Sequence, residues 1–299
     1  MTFKNLAIPA IAAPMFLVSC PDLVVETCRA GLIGTFPALN QRTSEGYAAW
    51  LFEINDRLAI LESHAPFGAN LIVHKTNSRL QADLAITVQH RVPIVITSLG
   101  AVPEVVKAIH GYGGVVFHDV ISLRHAQKAA DAGVDGLIAV CAGAGGHAGL
   151  LNPFAFVAEI RQFFDKTLIL SGAITNGRQI AAAKLMGADL AYLGTRFIST
   201  RESLAPQAYK QMIVDSTAKD IVYTSAVSGV PANFLRATIP ENLEANVQLD
   251  MSSEREGTVW KEVWSAGHGV GAIHDIPSTA ELCQRLISEY REAQAESVF

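Results

Sequence analysis

A glycine-rich stretch at residues 140–149 contains the side chain best suited to chemistry in this sequence. It reads V-C-A-G-A-G-G-H-A-G and follows the apolar run 136–140, which is typical of a buried parallel strand. Glycine has no Cβ, so the main chain can bend sharply there and approach a flat ligand closely. His147 is the one side chain of the stretch that can exchange a proton near neutral pH. The same pattern is also compatible with a flexible strand-to-helix loop that contains an incidental histidine.

Composition and charge argue against two classes of partner. The chain has 299 residues, a formal net charge of −5 and no cluster of Lys and Arg, which argues against nucleic acid or an anionic membrane surface. Half of the residues are hydrophobic and the mean hydropathy is +0.27. No uninterrupted apolar run reaches the roughly 18–20 residues of a membrane helix. We therefore expect a protein that stays in the cytoplasm.

The four cysteines follow no disulfide or metal-binding spacing. Cys20, Cys28, Cys141 and Cys283 contain no C-x-x-C pair and form no ligand pattern with the nine histidines, so we expect reduced thiols and no metal. Residues 1–20 resemble a bacterial lipoprotein signal that ends in a modifiable cysteine. Because prolines interrupt its apolar part at positions 9 and 14, and because it supplies the first predicted strand, the pattern favours a chain that is not exported.

Short apolar runs alternate with helix-like segments over the first 200 residues. Eight such runs are the number of strands in a (β/α)8 TIM barrel, an α/β fold that commonly needs about 250 residues. A doubly wound open sheet has the same alternation, because strand count does not reveal closure. The predicted strands lie at residues 11–15, 31–37, 67–73, 93–98, 114–119, 136–141, 167–172 and 190–195.

The regular alternation ends near residue 200. We predict a barrel core with the cofactor site over residues 1–204, an insertion or lid over 205–275, and a closing helix within 276–299. The insertion includes a charged patch at 252–257. Predicted helices lie at residues 22–30, 44–60, 103–110, 123–132, 153–164, 177–186, 204–217 and 278–295.

The ends of the last two predicted strands have the composition of an anion site. Barrel enzymes place their chemistry at the carboxyl ends of the strands, and a phosphate is often held after strands seven and eight. Ser171, Gly172 and Ala173 follow the seventh run here, and Gly194 and Thr195 follow the eighth. Simple loop closure uses the same residue types. Since both strand ends show them together, we favour phosphate binding.

Two further strand ends suit a flat cofactor. Asn70, at the third strand, can offer a donor and an acceptor to a ring edge. Met15, after the first, can form an apolar floor. Together with the phosphate site and the glycine loop they indicate an extended cofactor such as FMN. Asn70 could equally cap its own loop, and methionine is more often a core residue.

Seven short elements, taken together and in order, resemble the nitronate monooxygenase family, also called 2-nitropropane dioxygenase-like. The Gly-Gly-His-x-Gly and Gly-Thr-Arg-Phe elements are fairly specific in combination and weak singly. The matching residues are 13–15, 68–71, 144–149, 171–174, 187–189, 194–197 and 264–267.

The resemblance implies an FMN-dependent TIM barrel in which His147 acts beside the flavin. That histidine would be the base that takes the proton α to a nitro group. Flavin-barrel enoyl reductases and NADH:quinone reductases share these elements. The resemblance therefore supports an inference about fold and cofactor more strongly than one about the substrate. The implied cofactor contacts are Ala13, Met15, Asn70, Gly145, Gly146, Ser171, Gly172, Ala173, Gly194 and Thr195.

The chain departs from the family pattern at two positions. Some relatives have Lys where this chain has Asp119, and a carboxylate there would oppose negative charge on the reduced ring, unless Asp119 points elsewhere or Lys75 compensates. His268 stands where the family often has Gln, which puts that ligand contact in doubt. His118 and Asp119 alternate along one strand, so at most one of them enters the barrel.

Three functions fit these observations. The first is FMN-dependent oxidation of a nitronate, a nitroalkane or a similar small carbon acid, with O2 as electron acceptor and His147 as base. The second is an NAD(P)H-dependent FMN reductase of an enoyl thioester or a quinone, which is disfavoured because no clean nicotinamide fingerprint is present. The third is a flavin-free barrel that binds a phosphate. A homo-oligomer is compatible with all three.

Overall fold

The computed structural model describes residues 5–100, 102–241 and 261–296. Eight parallel strands close into a barrel in the order β1-β2-β3-β4-β5-β6-β8-β9, with β9 paired to β1. The predicted TIM barrel is confirmed and the open sheet was wrong. The barrel strands are β1 Ala10–Ala12, β2 Ile33–Pro37, β3 Phe67–Ile72, β4 Ile94–Ser98, β5 Val115–Val120, β6 Gly136–Val140, β8 Thr167–Ser171 and β9 Leu190–Leu193.

Helices follow the strands as predicted, with two differences. Leu80–Gln89 is a helix that the sequence pattern did not indicate, and Thr195, predicted as the end of the eighth strand, instead begins a short helix. The helices are α1 Pro21–Arg29, α2 Ser44–Ala59, α3 Leu80–Gln89, α4 Pro103–His110, α5 Leu123–Asp131, α6 Pro153–Arg161, α7 Gly177–Leu185, α8 Thr195–Ile198, α9 Gln207–Asp215 and α10 Thr279–Glu296.

The barrel strands separate two apolar layers because successive side chains point to opposite faces. One cluster fills the barrel interior and includes Ile11, Ile96, Phe117 and Ile169. The larger cluster lies between the strands and the surrounding helices. The alternation along β5 therefore directs Asp119 into the barrel and His118 outward, towards the helices.

A small antiparallel sheet, which the sequence pattern did not indicate, covers the glycine-rich loop. Its strands are β7 (Gly146–His147), β10 (Ile221–Thr224) and β11 (Ala232–Leu235), with β11 in the middle. Ala232 pairs with His147 and Asn233 with Gly146. The segment after the barrel strands thus fixes the loop that contains the histidine.

The last helix, α10, packs against α7 and closes the ring of helices. Arg196 of α8 is buried and donates through Nη2 to Asp275 Oδ1 at 2.7 Å, while Arg285 of α10 donates to Asp275 Oδ2 at 2.6 Å. This pairing ties α10 to the end of β9. The division of the chain at residues 204 and 275 stays a prediction, and the charged patch at 252–257 lies outside the described residues.

Two further expectations concern membranes and metals. Within the described ranges no helix has the length and apolar character needed to cross a bilayer. The same ranges contain no group of three or more His, Cys, Asp or Glu side chains placed to hold a metal ion. The four cysteines are buried free thiols.

Candidate functional site

A cavity of 690 Å³ opens at the carboxyl ends of the barrel strands. The folding pattern explains its position, because the βα loops of a closed parallel barrel meet at that end. Every site residue predicted from the sequence lines this one cavity. These residues are Ala13, Met15, Asn70, Gly145, Gly146, His147, Ser171, Gly172, Ala173, Gly194 and Thr195.

His147 lies in β7 and lines the cavity from the β6 side. Its Nε2 is 3.3 Å from Ser228 Oγ, and Ser228 Oγ donates to Val230 O at 3.1 Å. Burial lowers the pKa of His147 to about 4, because the low-dielectric surroundings disfavour the imidazolium. The imidazole is therefore neutral near pH 7, which is the state that can accept a proton.

Close backbone packing holds the loop before His147 in place. Asn233 Nδ2 donates to Ala144 O at 2.7 Å, and Gly267 N donates to Thr195 Oγ1 at 2.9 Å. A Cβ on Gly145 would lie 2.9 Å from Gly267 N, and one on Gly267 would lie 2.5 Å from Gly143 O. Both positions therefore require glycine, and the loop is fixed by contact with residues far away in the sequence.

The ends of β8 and β9 form a cradle of unpaired main-chain N–H groups. Gly172 has φ +141° and Ala173, unusually for a residue with a Cβ, has φ +54°. In the described part of the chain the N–H groups of Gly172, Ala173, Gly194 and Thr195 donate no hydrogen bond. Ser171 adds a hydroxyl that is likewise unbonded there. Such converging donors suit a phosphate.

A hydrogen-bonded row of polar side chains lies across the barrel, at the ends of β3, β4 and β5. Asn70 Nδ2 donates to Ser98 Oγ at 2.8 Å and to Ile96 O at 3.2 Å. Ser98 Oγ in turn donates to Asp119 Oδ2 at 2.5 Å. The amide oxygen of Asn70 accepts no bond from the described residues, so it is available to an N–H group of a ring edge.

Asp119 faces the cavity and has no cationic partner among the described residues. Its Oδ1 is buried and has no hydrogen-bond partner among the described residues. Burial raises its pKa to about 6, opposed by the hydrogen bond from Ser98. The suggestion that Lys75 balances it was wrong, because Lys75 is exposed and does not line the cavity. The pKa of Tyr192, which lines the cavity from β9, is raised by burial and by Asp119.

His268 does not reach the cavity. Its side chain is exposed, and its backbone N–H donates to Gly143 O at 2.9 Å. It therefore supports the glycine loop from outside, as the doubt raised by its position in the sequence had suggested.

Several lining residues were missed by sequence reasoning. Ser98 and Tyr192 could have been found from strand alternation, since each faces the interior at a strand end. Ser228 and Asn233 do not line the cavity but contact His147 and Ala144 of the glycine-rich loop. They had no signal in the sequence, because their position depends on the β7–β11 pairing. The cavity also extends to His74, His125 and Lys128, which were not singled out.

The arrangement fits FMN, the cofactor that the sequence implies. The phosphate cradle at β8 and β9 lies across the barrel from the polar row at β3–β5, because these strands are opposite in the closed order. If the phosphate of FMN is held at this cradle, its flavin ring would extend across the mouth of the barrel. The Asn70 amide would then lie at the far edge of the ring, and His147 would lie on the loop after β6. The cradle, the Asn70 amide and His147 thus match, respectively, the phosphate, the polar ring edge and the reactive centre of the cofactor.

Comparisons with known proteins agree with this geometry. Residues 76–289 match the family model for nitronate monooxygenase. The nitronate monooxygenase of Paraburkholderia phytofirmans is 25% identical over 353 aligned positions, covering 95% of this chain and 93% of that protein. A solved nitroalkane oxidase from Streptomyces ansochromogenes superposes with a TM-score of 0.85 at 23% identity, covering 98% of each chain. That structure supports the fold.

A further relative is the (3aS,4S,5R,7aS)-5-hydroxy-7a-methyl-1-oxo-octahydro-1H-indene-4-carboxyl-CoA dehydrogenase of Rhodococcus jostii. It is 26% identical over 236 residues, which cover 79% of this chain and 65% of that protein. The matched region therefore spans less than two thirds of the Rhodococcus protein.

Proposed function

The chain belongs to the nitronate monooxygenase family, whose members are oxidoreductases and flavoproteins, and on this premise we propose that it is an FMN-dependent oxidase of a nitronate, a nitroalkane or a similar carbon acid. In this proposal O2 is the electron acceptor. A carbon acid is a molecule whose C–H proton is acidified by a neighbouring nitro or carbonyl group.

The single observation that carries the proposal is the placement of His147. A neutral imidazole lines the cavity on a loop that is paired with β11, and a neutral imidazole can accept the proton that leaves the substrate carbon. Ser228, 3.3 Å from Nε2, orients the ring. When bound, FMN would supply the electron-accepting ring, and the chain's own residues hold the substrate, the ring edge and the proton.

The residues proposed to hold FMN divide into two groups by chemistry. The N–H groups at residues 172–173 and 194–195, with the Ser171 hydroxyl, are proposed to hold the phosphate. Asn70 is proposed to bind the ring edge, while Ala13 and Met15 contact the ring and exclude water from it. Gly145 and Gly146 let the loop approach without a Cβ. All of these residues line the same cavity.

Replacing His147 tests this function. We expect His147→Ala to bind FMN as the wild type does and to lose roughly 10²–10⁴-fold in kcat with a nitroalkane, the usual contribution of a positioned base. Because the pKa of His147 is about 4, the wild-type kcat/KM should fall only as the pH drops through about 4, where the imidazole becomes protonated. His274→Ala is the matched control, since His274 is exposed and outside the cavity.

Visible absorbance and stopped-flow measurements distinguish the remaining functions. Full activity of His147→Ala with bound FMN would remove the histidine from the mechanism. Rapid anaerobic bleaching of the bound flavin by NADH or NADPH would instead favour a reductase of an enoyl thioester or quinone. A colourless protein that acquires no flavin spectrum after incubation with FMN would favour a flavin-free phosphate-binding barrel.

A further inference from the structure

Asp119 is an acidic group of the cavity wall that the proposed function leaves without a role. It lies in β5 and lines the cavity. Its Oδ2 accepts the Ser98 hydroxyl at 2.5 Å, while Oδ1 is buried and has no partner among the described residues. A carboxylate held in this way has lost much of its hydration without gaining a cation. Its negative charge is therefore poorly screened within the cavity.

The hydrogen-bonded row that contains Asp119 leads to the proposed ring edge. Asn70 Nδ2 donates to Ser98 Oγ at 2.8 Å, and the Ser98 hydroxyl donates onward to Asp119. Asp119 is thus two hydrogen bonds away from the amide that is proposed to bind the ring. Because electrostatic interactions are strong in a low-dielectric site, a change of charge on the ring should act on Asp119.

Tyr192 shows that the charge of Asp119 acts on the side of the cavity where the phosphate cradle lies. Tyr192 lines the cavity from β9 and is the register partner of Ser171 in the cradle. Burial raises the pKa of Tyr192, and the negative charge of Asp119 raises it further. A flavin ring that extends from the cradle towards Asn70 would therefore also experience the charge of Asp119.

The other titratable groups inside the barrel mouth do not balance this charge. The neighbouring strands β4 and β6 contain no titratable side chain. His147, on the loop after β6, is neutral because burial lowers its pKa to about 4. His74 lines the cavity after β3, where its Nδ1 is 2.9 Å from Thr76 Oγ1. The pKa of Asp119 itself is raised to about 6 by burial and is lowered by the Ser98 hydrogen bond.

The helices that pack on β5 lie outside the barrel and place their charges away from Asp119. Burial lowers the pKa of His118, on the outer face of β5, to about 4, and the charges of His125 and Lys128 of α5 add to the effect. These two cations thus act on the outward-facing histidine. The remaining charged groups of α4 and α5 are exposed, namely Glu104, Lys107, His110, Arg124 and Asp131.

We propose that Asp119 takes up one proton when a bound flavin accepts two electrons, and so keeps the charge of the cavity constant. The inference rests on the proposed FMN-dependent function, in which the substrate carbon acid supplies both electrons. With one proton from solvent the ring gains one negative charge, and with a second proton from solvent Asp119 loses one. This second proton binds Oδ1, because Oδ2 already accepts the Ser98 hydroxyl.

The pKa of Asp119 sets the pH range in which this uptake occurs. Since the pKa is about 6, the carboxyl is ionised at pH 8 and can accept a proton, whereas at pH 5 it is already protonated. A negative charge on the ring raises the pKa further, because like charges disfavour each other. The additional proton is therefore taken up above about pH 6 and not at pH 5.

The reduction potential of FMN bound to the full-length protein, measured between pH 5 and pH 8, tests the proposal. In the wild type one additional proton should change the equilibrium between oxidised and reduced flavin by a further tenfold per pH unit above pH 6, or about 30 mV. Asp119→Asn should lack this additional slope, while its amide oxygen still accepts the Ser98 hydroxyl. At pH 8, two units above the pKa of about 6, it should favour reduced flavin about a hundredfold more than the wild type.

A control and two further measurements separate proton uptake from a structural role. Asp131→Asn is the matched control, because it removes the same charge from an exposed position outside the cavity. Ser98→Ala removes the hydrogen bond that lowers the pKa of Asp119, so the additional slope should begin at a higher pH. Infrared difference spectra of the oxidised and reduced protein at pH 8 should show a protonated carboxyl in the wild type and none in Asp119→Asn.

The possible outcomes distinguish this proposal from the proposed function. Parallel dependence of the potential on pH in wild type and Asp119→Asn, in a protein that oxidises nitroethane, would overturn the role of Asp119 and leave the function intact. Loss of the additional slope in Asp131→Asn as well would also overturn it, since net charge would then be the cause. A wild type with the additional slope that oxidises no nitroalkane would support Asp119 and overturn only the proposed substrate. Failure of the wild type to bind any flavin would defeat both.

Discussion

His147 and Ala232 are register partners across the antiparallel pair of β7 and β11, although 84 positions separate them in the chain. The strand pairing places the histidine at the cavity and covers it with residues from the segment after the barrel. The loop that supplies the proposed base is therefore held by main-chain contacts and by Asn233 next to Ala232.

Removing the Asn233 side chain should misplace His147 without removing it. Asn233→Ala loses the 2.7 Å hydrogen bond to Ala144 O and leaves that buried carbonyl unpaired, which costs about 1–3 kcal/mol. We expect a lower melting temperature and a lower kcat with flavin still bound. Asn77→Ala is the matched control, since Asn77 donates to Ile72 O at the same 2.7 Å away from His147. Thermal unfolding and nitroethane turnover measure both effects, and an equal loss of kcat in the two variants would contradict this role.

The Ser171 hydroxyl should discriminate FMN from riboflavin. In the described part of the chain it makes no hydrogen bond, so Ser171→Ala removes a potential phosphate donor at little internal cost. We expect FMN to bind up to about tenfold more weakly and riboflavin, which lacks the phosphate, to bind as before. Fluorescence titration of the apoprotein with each flavin is the measurement. Equal weakening of FMN binding and riboflavin binding would show that the Ser171 hydroxyl does not contact the phosphate.

A methyl group at Gly267 should displace the glycine-rich loop by steric contact, whereas a methyl group at Gly113 should only strain its own backbone. The added Cβ at Gly267 would lie 2.5 Å from Gly143 O, while at Gly113, with φ +87°, it meets no atom within 4 Å. We expect Gly113→Ala to lower the free energy of unfolding by about 1–2 kcal/mol without changing FMN affinity. Gly267→Ala should lower FMN affinity and stability together, as overpacking does. Unchanged FMN affinity in Gly267→Ala would refute the contact argument.

Asp119 should make the stability of the apoprotein depend on pH. Burial raises its pKa to about 6, above the value of about 4 in the unfolded chain. The folded state therefore binds a proton that the unfolded state releases, and stability is lost as the pH rises from about 4 through about 6. Asp119→Asn has no ionised form, so we expect it to be more stable than the wild type at pH 7.5, by about 3 kcal/mol.

The test of this pH effect is thermal unfolding of both apoproteins between pH 4 and pH 8. The advantage of Asp119→Asn should shrink towards pH 4, where the wild-type carboxyl is protonated in both states. The pKa of His147 and that of His118 are about 4 in the folded state and about 6.5 in the unfolded chain. Both rings therefore lower the stability of the wild type and of Asp119→Asn alike as the pH falls, and they cancel in the difference between the two proteins. A stability difference that does not vary with pH would show that Asp119 is not ionised at neutral pH.

Local pattern in the sequence predicted the eight barrel strands and eleven residues of the cavity wall, while closure of the sheet was seen only in the structure. The eight apolar runs have the length and spacing of barrel strands, and closure of a parallel barrel brings their carboxyl ends together whatever the loops contain. For this reason Asn70, Ser171 and Thr195 could be assigned to one site from their positions at strand ends. Strand alternation likewise predicted that at most one of His118 and Asp119 enters the barrel, and the structure showed that it is Asp119.

Tertiary structure alone decided which distant residues complete the site. The β7–β11 sheet and the contact of Gly267 with the glycine loop each join segments far apart in the chain. No local period encodes such contacts, because they depend on how the segment after β9 folds back over the mouth of the barrel. The sequence thus determined that a histidine follows β6, and the fold decided what it faces and that it is neutral.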